Sequence, residues 1–237
     1  MTHPDGEVSF FNDSAINIAP SAERISNYAD KLGVFSNKKQ KKNIIYLKDS
    51  GYINLVNGKQ SSILDVAKVG PDYIPGHAHA DTLSFEWNYD KQRVLVNSGT
   101  SVYGLGLERL RQRKTESHNT VVVDEEDSSE VWSGFRVARR AYPSKPIISE
   151  FGDSICVECS HDGYMRLRGK VTHTREWIMN DIGFFVTDKL LGSFNSAEAH
   201  YHFHPDIQLE LSNDSKHQVN FYSPDGTQFM IEVIGAD

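Results

Sequence analysis

Three histidines and one asparagine have the types and spacing needed for acid–base chemistry or metal binding. His77 and His79 lie two residues apart in GHAHADTLSFEW, and Asp81 follows them. On an extended segment such residues project to the same side, roughly 6 to 7 Å apart. Asn97 ends the apolar run RVLVN, and His118 precedes the apolar run TVVV. If these strand ends converge, one imidazole could act on a substrate while two imidazoles and an oxygen donor hold zinc.

A second set of histidines lacks such a pattern. His200, His202 and His204 alternate in HYHFHPD and therefore share one face of a strand, and His173 lies in the run VTHTREW. The spacing specifies no acidic or cysteine partner for them. These residues are predicted to have structural roles.

Composition excludes some classes of function. The chain has 237 residues, 38% of them hydrophobic, and a formal net charge of −7. This content can build a core, whereas the negative charge argues against a general nucleic-acid-binding protein. No run of roughly 18 to 20 apolar residues predicts a membrane span, and the first residues lack the basic and apolar regions of a signal peptide.

The β-rich part of the sequence begins after one predicted helix. In PSAERISNYADKLG, Ser21 is a candidate N-cap and Gly33 a candidate stop. The polar, basic stretch SNKKQKKN that follows predicts a linker or an exposed turn. From residue 44 onward, short apolar runs alternate with turn signals, and three pairs predict hairpins: WNYDKQRVLV, WIMNDIGFFV and FYSPDGTQFMI. Many such strands favour a large antiparallel β-sandwich.

Two cysteines, Cys156 and Cys159, form a CxxC pair in ISEFGDSICVECS. A redox or zinc site would place such a pair at a helix N-terminus or on a tight turn. Here the flanking residues alternate as in a strand, which directs the two side chains to opposite faces. Two unpaired strand cysteines are the favoured interpretation.

Several separated motifs together resemble one family, the heparinase II/III-like polysaccharide lyases, in their C-terminal domain. The motifs occur in order between about residue 70 and residue 206: IPGHAHADTLSFEW, RVLVNSGTSVYG, ERLRQRKTESHNTVVVDEEDSSEVWSGFRVARRAYP, SHDGYMRLRGKVTHTREWIM and AEAHYHFHPD. The opening residues, through ADKLG, resemble the end of the preceding helical domain of that family.

The resemblance implies a mainly β fold, a large antiparallel β-sandwich with a short N-terminal helical segment left from an (α/α) toroid. Residues 1–33 would be the helical tail of the toroid domain, and residues 34–237 the sandwich. In this family the active site lies between the two domains. The enzymes cleave uronate-containing polysaccharides by β-elimination, and a periplasmic or cell-envelope location is implied.

The resemblance also assigns roles to single residues. His77 matches the active-site histidine of the sandwich domain, and His79 and His118 match zinc ligands. The third family ligand is an aspartate, whereas this chain has Asn97 there. An amide oxygen carries no charge, so zinc should be held more weakly, another carboxylate such as Asp81 should replace the missing ligand, or the site should be free of metal.

The tyrosine that serves as acid and base in the family belongs to the toroid, most of which this chain lacks. Tyr103, in the loop GTSVYG, is the candidate nearest to the histidines, either as a catalytic or as a structural loop residue. Arg109, Arg111 and Arg113 could bind carboxylates or sulfates of an acidic polysaccharide, or form salt bridges with neighbouring acids. The missing toroid would be the second partner of the chain.

The segment GFRVARRAYP, which follows Trp132, contains Arg136, Arg139 and Arg140 and could form a further sugar-binding rim or an exposed strand. Two alternatives to a lyase domain stay open from the sequence. The chain could be a non-catalytic carbohydrate-binding module, or a structural β domain whose histidine cluster has lost its function, as Asn97 would allow.

Overall fold

The computed structural model describes residues 1–34, 42–211, 217–224 and 226–235. Within these ranges the chain is mainly β, as predicted, and two antiparallel sheets form its centre. The first sheet has the order β1-β2-β3-β4-β5, where the strands are Ile44–Leu47, Tyr52–Asn57, Gln60–Asp65, Phe85–Tyr89 and Gln92–Leu95.

The second sheet consists of four strands. Its order is β12-β11-β10-β9, where β9 to β12 are Ile147–Phe151, Ser154–His161, Thr172–Met179 and Phe184–Leu191. The smaller strands are β6 to β8, Val121–Val123, Val131–Trp132 and Arg136–Val137, and β13 to β16, Ala197–Ala199, Gln208–Leu211, Gln218–Tyr222 and Gln228–Glu232. The α-helices are α1, Ala22–Lys31, and α2, Leu107–Arg113, and short 3-10 turns span Thr115–Ser117 and Gly163–Arg166.

The main core lies between the two large sheets. Strands β10 and β11 alternate buried and half-buried side chains, and β4 faces them from the other sheet. Val157 pairs with Trp177 in register, and both pack in one cluster with Phe85. Each large apolar side chain buried in this way contributes roughly 1.5 to 3 kcal/mol, so the alternation visible in the sequence supplies the driving force for the sandwich.

The three predicted hairpins are confirmed. They are the antiparallel pairs β4–β5, β11–β12 and β15–β16. Cys156 and Cys159 lie on β10 as free cysteines, the first half-buried and the second buried, which agrees with the prediction of unpaired strand cysteines. Burial raises the pKa of the Cys159 thiol to about 11, so this thiol stays protonated and unreactive at neutral pH.

The first fourteen residues lie over the outer face of the first sheet. Glu86 on β4 points away from the core, yet it is fully buried because this segment covers it. Its carboxylate accepts hydrogen bonds from the Phe10 backbone at 2.8 Å and pairs with the His3 ring at 2.5 Å. Asp5 holds Arg93 on β5 by a further ion pair of 2.6 Å. The segment is thus bound closely to the sandwich.

Within residues 1–33, only Ala22–Lys31 is α-helical, so the helical tail expected there is shorter than that range. Ser21 is the N-cap, as predicted, and its side chain accepts from the Arg24 backbone N–H at 3.3 Å. The division into a toroid tail and a sandwich at residue 34 stays a prediction. The predicted linker falls mostly at 36–41, outside the described residues. No helix in the described ranges is long and apolar enough to cross a membrane.

Candidate active site

The predicted site residues come from three connecting segments at one end of the first sheet. The connection from β3 to β4 contains His77 and His79, and Asn97 and Tyr103 follow β5. His118 lies just before β6, after helix α2. The predicted convergence of these strand ends occurs, and a residue from the N-terminal segment joins them.

That residue is Asp13, which contacts both histidines of the pair. The Nδ1 atom of His77 lies 2.8 Å from one carboxylate oxygen, and Nε2 of His79 lies 2.8 Å from the other. Arg109 adds a two-pronged ion pair, with one nitrogen on the oxygen that faces His79 and the other 2.7 Å from the oxygen that faces His77. Burial alone would raise the pKa of Asp13, but the hydrogen bonds from His79, Arg109 and His77 bring it down to about 2. Asp13 is therefore ionised at neutral pH.

The neighbouring Asn12 fixes the position of Asp13. Its backbone N–H donates to the Asp81 carboxylate at 3.1 Å, and its side-chain oxygen accepts from the His79 backbone at 3.0 Å. Its side-chain nitrogen donates to the hydroxyl of Tyr52 at 3.0 Å. Asp81 is thus engaged with the backbone of the N-terminal segment. Burial raises its pKa, and the nearby carboxylate of Asp13 adds to this effect.

His77 is the exposed member of the group, since 72% of its side chain is open to solvent. Because the ionised Asp13 can only accept, Nδ1 of His77 carries the proton, and Nε2 is left as the free lone pair. Tyr103 and Phe135 stand edge-on to this ring, with centroids at 6.2 and 6.5 Å. Tyr103 is itself half exposed. The arrangement holds one imidazole at the surface with its outer nitrogen available.

His79, His118 and Asn97 form a buried group beneath His77. The rings of His79 and His118 have centroids 5.3 Å apart, and both residues are fully buried. Among the described residues, neither ring nitrogen of His118 has a hydrogen-bond partner of good geometry, and Nδ1 of His79 also lacks a partner. Burial lowers the pKa of His118 well below its usual value, and His79 and His202 lower it further. His118 can therefore offer unprotonated nitrogens, as zinc requires.

Asn97 is the residue that does not fit a complete zinc site. Its side-chain oxygen accepts the Asn119 backbone N–H at 3.2 Å, while its NH₂ group is buried without a partner. An aspartate could keep that bond and offer its second oxygen to a metal, whereas the NH₂ group has no lone pair to give. Among the described residues, no group of three or more His, Cys, Asp or Glu side chains could hold a metal ion. Zinc binding by His79, His118 and Asn97 therefore stays a prediction, and Asn97 is its weakest ligand.

The three predicted substrate-binding arginines occupy different environments. Arg111 is exposed and pairs with Glu108 at 2.7 Å, as the salt-bridge alternative predicted. Arg109 and Arg113 are fully buried, so neither guanidinium faces the surface where a polysaccharide would bind. Arg113 donates to the carbonyls of Ala78 and Ser133, which ties the histidine loop to the loop around residue 133. Their charge is used inside the protein, and substrate binding by these two arginines stays a prediction that their burial does not favour.

The second set of histidines has ordinary hydrogen bonds. The Nε2 atom of His161, a residue that the sequence did not single out, lies 3.1 Å from Nδ1 of His173, and Nε2 of His173 lies 2.6 Å from Asp188. His202 pairs with the carbonyl of Glu116 at 2.9 Å, and His204 accepts the backbone N–H of Asp206 at 3.2 Å. Such contacts are those of structural residues.

Asp13 and Phe135 are the candidate site residues that sequence reasoning missed. Asp13 lies in FFNDSA, sixty-four residues before His77, and nothing in its neighbourhood resembles a site motif. The one indication of Asp13 in the sequence was that it lies in a segment without helical periodicity. Phe135 lies in the segment that the sequence marked for its arginines.

Comparison with known proteins relates this chain to a family. The sequence matches the family described as heparinase II/III-like, C-terminal, over residues 39–233. No curated protein matches the chain. Two similar solved structures are the heparan sulfate lyase HepC from Pedobacter heparinus, at 17% identity and a TM-score of 0.76, and a heparinase III, at 17% identity and a TM-score of 0.72.

These structures share the fold over all of this chain. Each match covers 100% of the chain but only 38% of HepC and 40% of the heparinase III. A third structure, the heparinase III that is the BT4657 gene product, is 16% identical with a TM-score of 0.74, over 98% of this chain and 36% of its own. The chain thus spans less than half the length of these lyases. With the family description matched over most of its residues, the chain belongs to the heparinase II/III-like family and corresponds to its C-terminal β domain.

Proposed function

We propose that this chain is the β-sandwich part of a polysaccharide lyase that cleaves acidic, uronate-containing polysaccharide by β-elimination. The single observation that carries the proposal is the exposed His77, whose Nδ1 is held at 2.8 Å by the ionised Asp13 while Nε2 is free. An imidazole oriented in this way can accept a proton at the outer nitrogen, and the negative partner stabilises the positive charge that forms.

In the proposed reaction, Nε2 of His77 removes the proton next to the uronate carboxylate. Alternatively, a base in the part of the solved lyases that this chain does not match removes that proton, and protonated His77 neutralises the carboxylate. The electrons of the C–H bond form a C=C bond, and the bond to the glycosidic oxygen breaks. The departing oxygen takes a proton from an acid. Tyr103 is the candidate acid in this chain, because its ring contacts His77, and the part of the solved lyases that this chain does not match is the other possible source.

The arginines have different roles in this proposal. Arg111 is the one whose guanidinium is exposed and could bind a carboxylate or sulfate after leaving Glu108. Arg109 and Arg113 hold the loops of the site in place. The family resemblance also supports a periplasmic or cell-envelope location. If zinc binds, His79 and His118 would hold it, with Asn97 as a weak third ligand, and it would fix the loops beneath His77.

A non-catalytic carbohydrate-binding function is the alternative, and the exposed aromatic rings beside His77 favour it as a second candidate. The two functions differ in the product. Elimination leaves a C=C bond conjugated to a carboxylate, which absorbs ultraviolet light, whereas binding alone leaves the polysaccharide intact.

The test is an ultraviolet assay on heparan sulfate and on alginate. The chain is assayed alone and after fusion to the N-terminal region of heparinase III that it does not match. His77→Ala should lower the rate by about 10²- to 10⁴-fold, as expected for loss of a general base or acid. His200→Ala, a histidine outside the site, is the matched control and should leave the rate unchanged. An active protein whose rate is the same with His77→Ala contradicts the proposal, and binding without any product in either form favours the alternative.

A further inference from the structure

A groove of about 620 Å³ opens directly beside His77. Its lining is mostly aromatic and aliphatic, and includes Tyr73, Ile74, Leu105, Trp132, Phe135 and Arg136. The ring of Trp132 is 54% exposed and that of Tyr73 is 83% exposed. The other two tryptophans of the chain, Trp87 and Trp177, are buried in the core. A cluster of exposed large rings beside a polar site is typical of a binding surface.

The groove is preformed, because buried contacts fix its walls. Gly134 lies so close to the next loop that a Cβ there would be 1.8 Å from the carbonyl oxygen of Gly104. Arg109 donates to the Gly134 carbonyl at 3.0 Å, and its guanidinium lies beneath the rings of Tyr103 and Phe135, at 5.2 and 5.3 Å. Tyr103 and Phe135 in turn stack on each other, with 16° between their planes. These contacts keep the rings in position before any ligand binds.

The groove also carries an unpaired cation. The guanidinium of Arg136 lies 6.0 Å from the centre of the Trp132 ring, and among the described residues it has no hydrogen-bond or ion-pair partner. Arg139, three residues later, differs because Glu130 binds it at 2.5 Å. A free guanidinium beside an exposed indole matches a ligand that has both an apolar face and a carboxylate or sulfate.

We propose that this groove is a subsite that binds one sugar residue of an acidic polysaccharide, next to the sugar on which His77 acts. The C–H face of the pyranose packs on Trp132, and the acidic group of the sugar binds Arg136. Phe135 joins the subsite to the reaction centre, since its ring lines the groove and lies 6.5 Å from that of His77. The assignment of the ligand as an acidic polysaccharide rests on the proposed function, whereas the aromatic and cationic lining of the groove is observed independently of that function.

The experiment is calorimetric titration of the purified chain with a heparan sulfate tetrasaccharide. Trp132→Ala should weaken binding by about tenfold or more, because tryptophan and arginine residues in a pocket dominate binding energy. Arg136→Gln should weaken it by about fivefold and reduce its dependence on salt. Phe151→Ala removes an exposed ring on β9, and Arg139→Gln removes a paired charge near the groove. Both are matched controls and should bind as the parent does. Trp132 and Arg136 are exposed, so both variants should keep the melting temperature of the parent.

The outcomes separate the subsite from the proposed function. Equal binding by the parent, Trp132→Ala and Arg136→Gln overturns the subsite, even if His77→Ala abolishes cleavage by the fusion protein. Absence of saturable binding by the parent also overturns it. Binding that Trp132→Ala and Arg136→Gln weaken supports the subsite. The subsite is then supported even if no form of the protein cleaves heparan sulfate or alginate. In that case only the proposed lyase function is contradicted.

Discussion

Two buried histidine pairs in this protein differ in how their ring nitrogens are satisfied. In the sheet pair, His161 and His173, each ring is part of a chain of hydrogen bonds that runs from the Gly163 backbone to Asp188. In the site pair, His79 and His118, three of the four ring nitrogens have no hydrogen-bond partner within the described part of the chain, and the fourth faces Asp13. Both pairs are buried, so burial alone does not distinguish them.

The hydrogen bonding of the ring nitrogens, rather than burial, distinguishes a structural histidine from a functional one in this protein. A buried polar atom without a hydrogen bond lowers stability, so folded proteins retain few of them, often where chemistry or a ligand needs them. The sheet pair stabilises the sandwich around Asp188. The site pair keeps ring nitrogens available, and this lowers the stability of the folded protein. Three comparisons of variants test this contrast, from the largest expected effect to the smallest.

Arg175→Met should have the largest effect, because it disrupts the network of the sheet pair. Arg175 is fully buried, pairs with Asp188 at 2.7 Å, and donates to the carbonyl of Leu83 at 2.9 Å. Burial alone would raise the pKa of Asp188, but Arg175 and His173 hold it far below its usual range. Without Arg175, a largely buried carboxylate loses its main partner. The free energy of unfolding, measured with urea, should fall by about 3 to 5 kcal/mol.

Arg139→Met is the matched control for that variant. It removes an arginine whose ion pair with Glu130 lies at the surface, so the urea midpoint should hardly change. Similar losses for the two variants would show that burial of the sheet network does not contribute the stability assigned to it.

Asn97→Asp tests whether the site pair is an incomplete zinc site. The new carboxylate can keep the Asn119 bond and offer its second oxygen, so zinc affinity should rise by about 10- to 100-fold. Without metal, the variant should unfold more readily than the parent, because a buried carboxylate lacks a counterion. Zinc at about 100 times its dissociation constant should then stabilise it by about 2.7 kcal/mol. Elemental analysis and thermal unfolding, with and without a chelator, measure both effects.

The parent chain is the reference in that experiment. If it already binds one zinc ion per chain as tightly as Asn97→Asp does, the interpretation of Asn97 as an inadequate third ligand is wrong. His161→Asp, which places a carboxylate in the sheet pair, should gain no zinc affinity.

His161→Leu and His118→Leu give the smallest and most direct comparison. His161→Leu leaves the Gly163 N–H and Nδ1 of His173 without partners and should lower the free energy of unfolding by about 2 kcal/mol. His118→Leu removes two buried nitrogens that have no good hydrogen bond among the described residues, so in the presence of a chelator it should raise the free energy of unfolding by about 1 kcal/mol. Equal losses in urea unfolding would mean that unsatisfied nitrogens do not distinguish the two pairs.

Much of the fold was predictable because its signals are local. The hairpins β4–β5, β11–β12 and β15–β16 were visible as alternating apolar residues around polar turns, and the N-cap at Ser21 was visible as a short polar side chain before a helical pattern. Alternation fixes which side chains face the core, since neighbouring residues in a strand point to opposite faces. The packing of the two sheets around one core depends on contacts that are not local. It could still be predicted, because the sequence contains many such strands.

The candidate site was only partly predictable. His77, His79, Asn97 and His118 could be grouped from strand ends and from the family resemblance. Asp13 could not, because no short-range pattern indicates that the N-terminal segment folds back over the first sheet. Nor could the sequence tell Arg111, which is exposed, from Arg109 and Arg113, which are buried, since all three lie within the same short helix.

By itself, the sequence determined the class of fold, the family and the set of histidines in question, because residue type, alternation and motif order are properties of the chain alone. The tertiary structure decided which of these histidines have free ring nitrogens and which arginines bind internal carbonyls and carboxylates. It also decided which aromatic rings form a groove beside His77. These outcomes depend on distances between segments far apart in sequence, where burial and hydrogen bonding set the chemistry of each group.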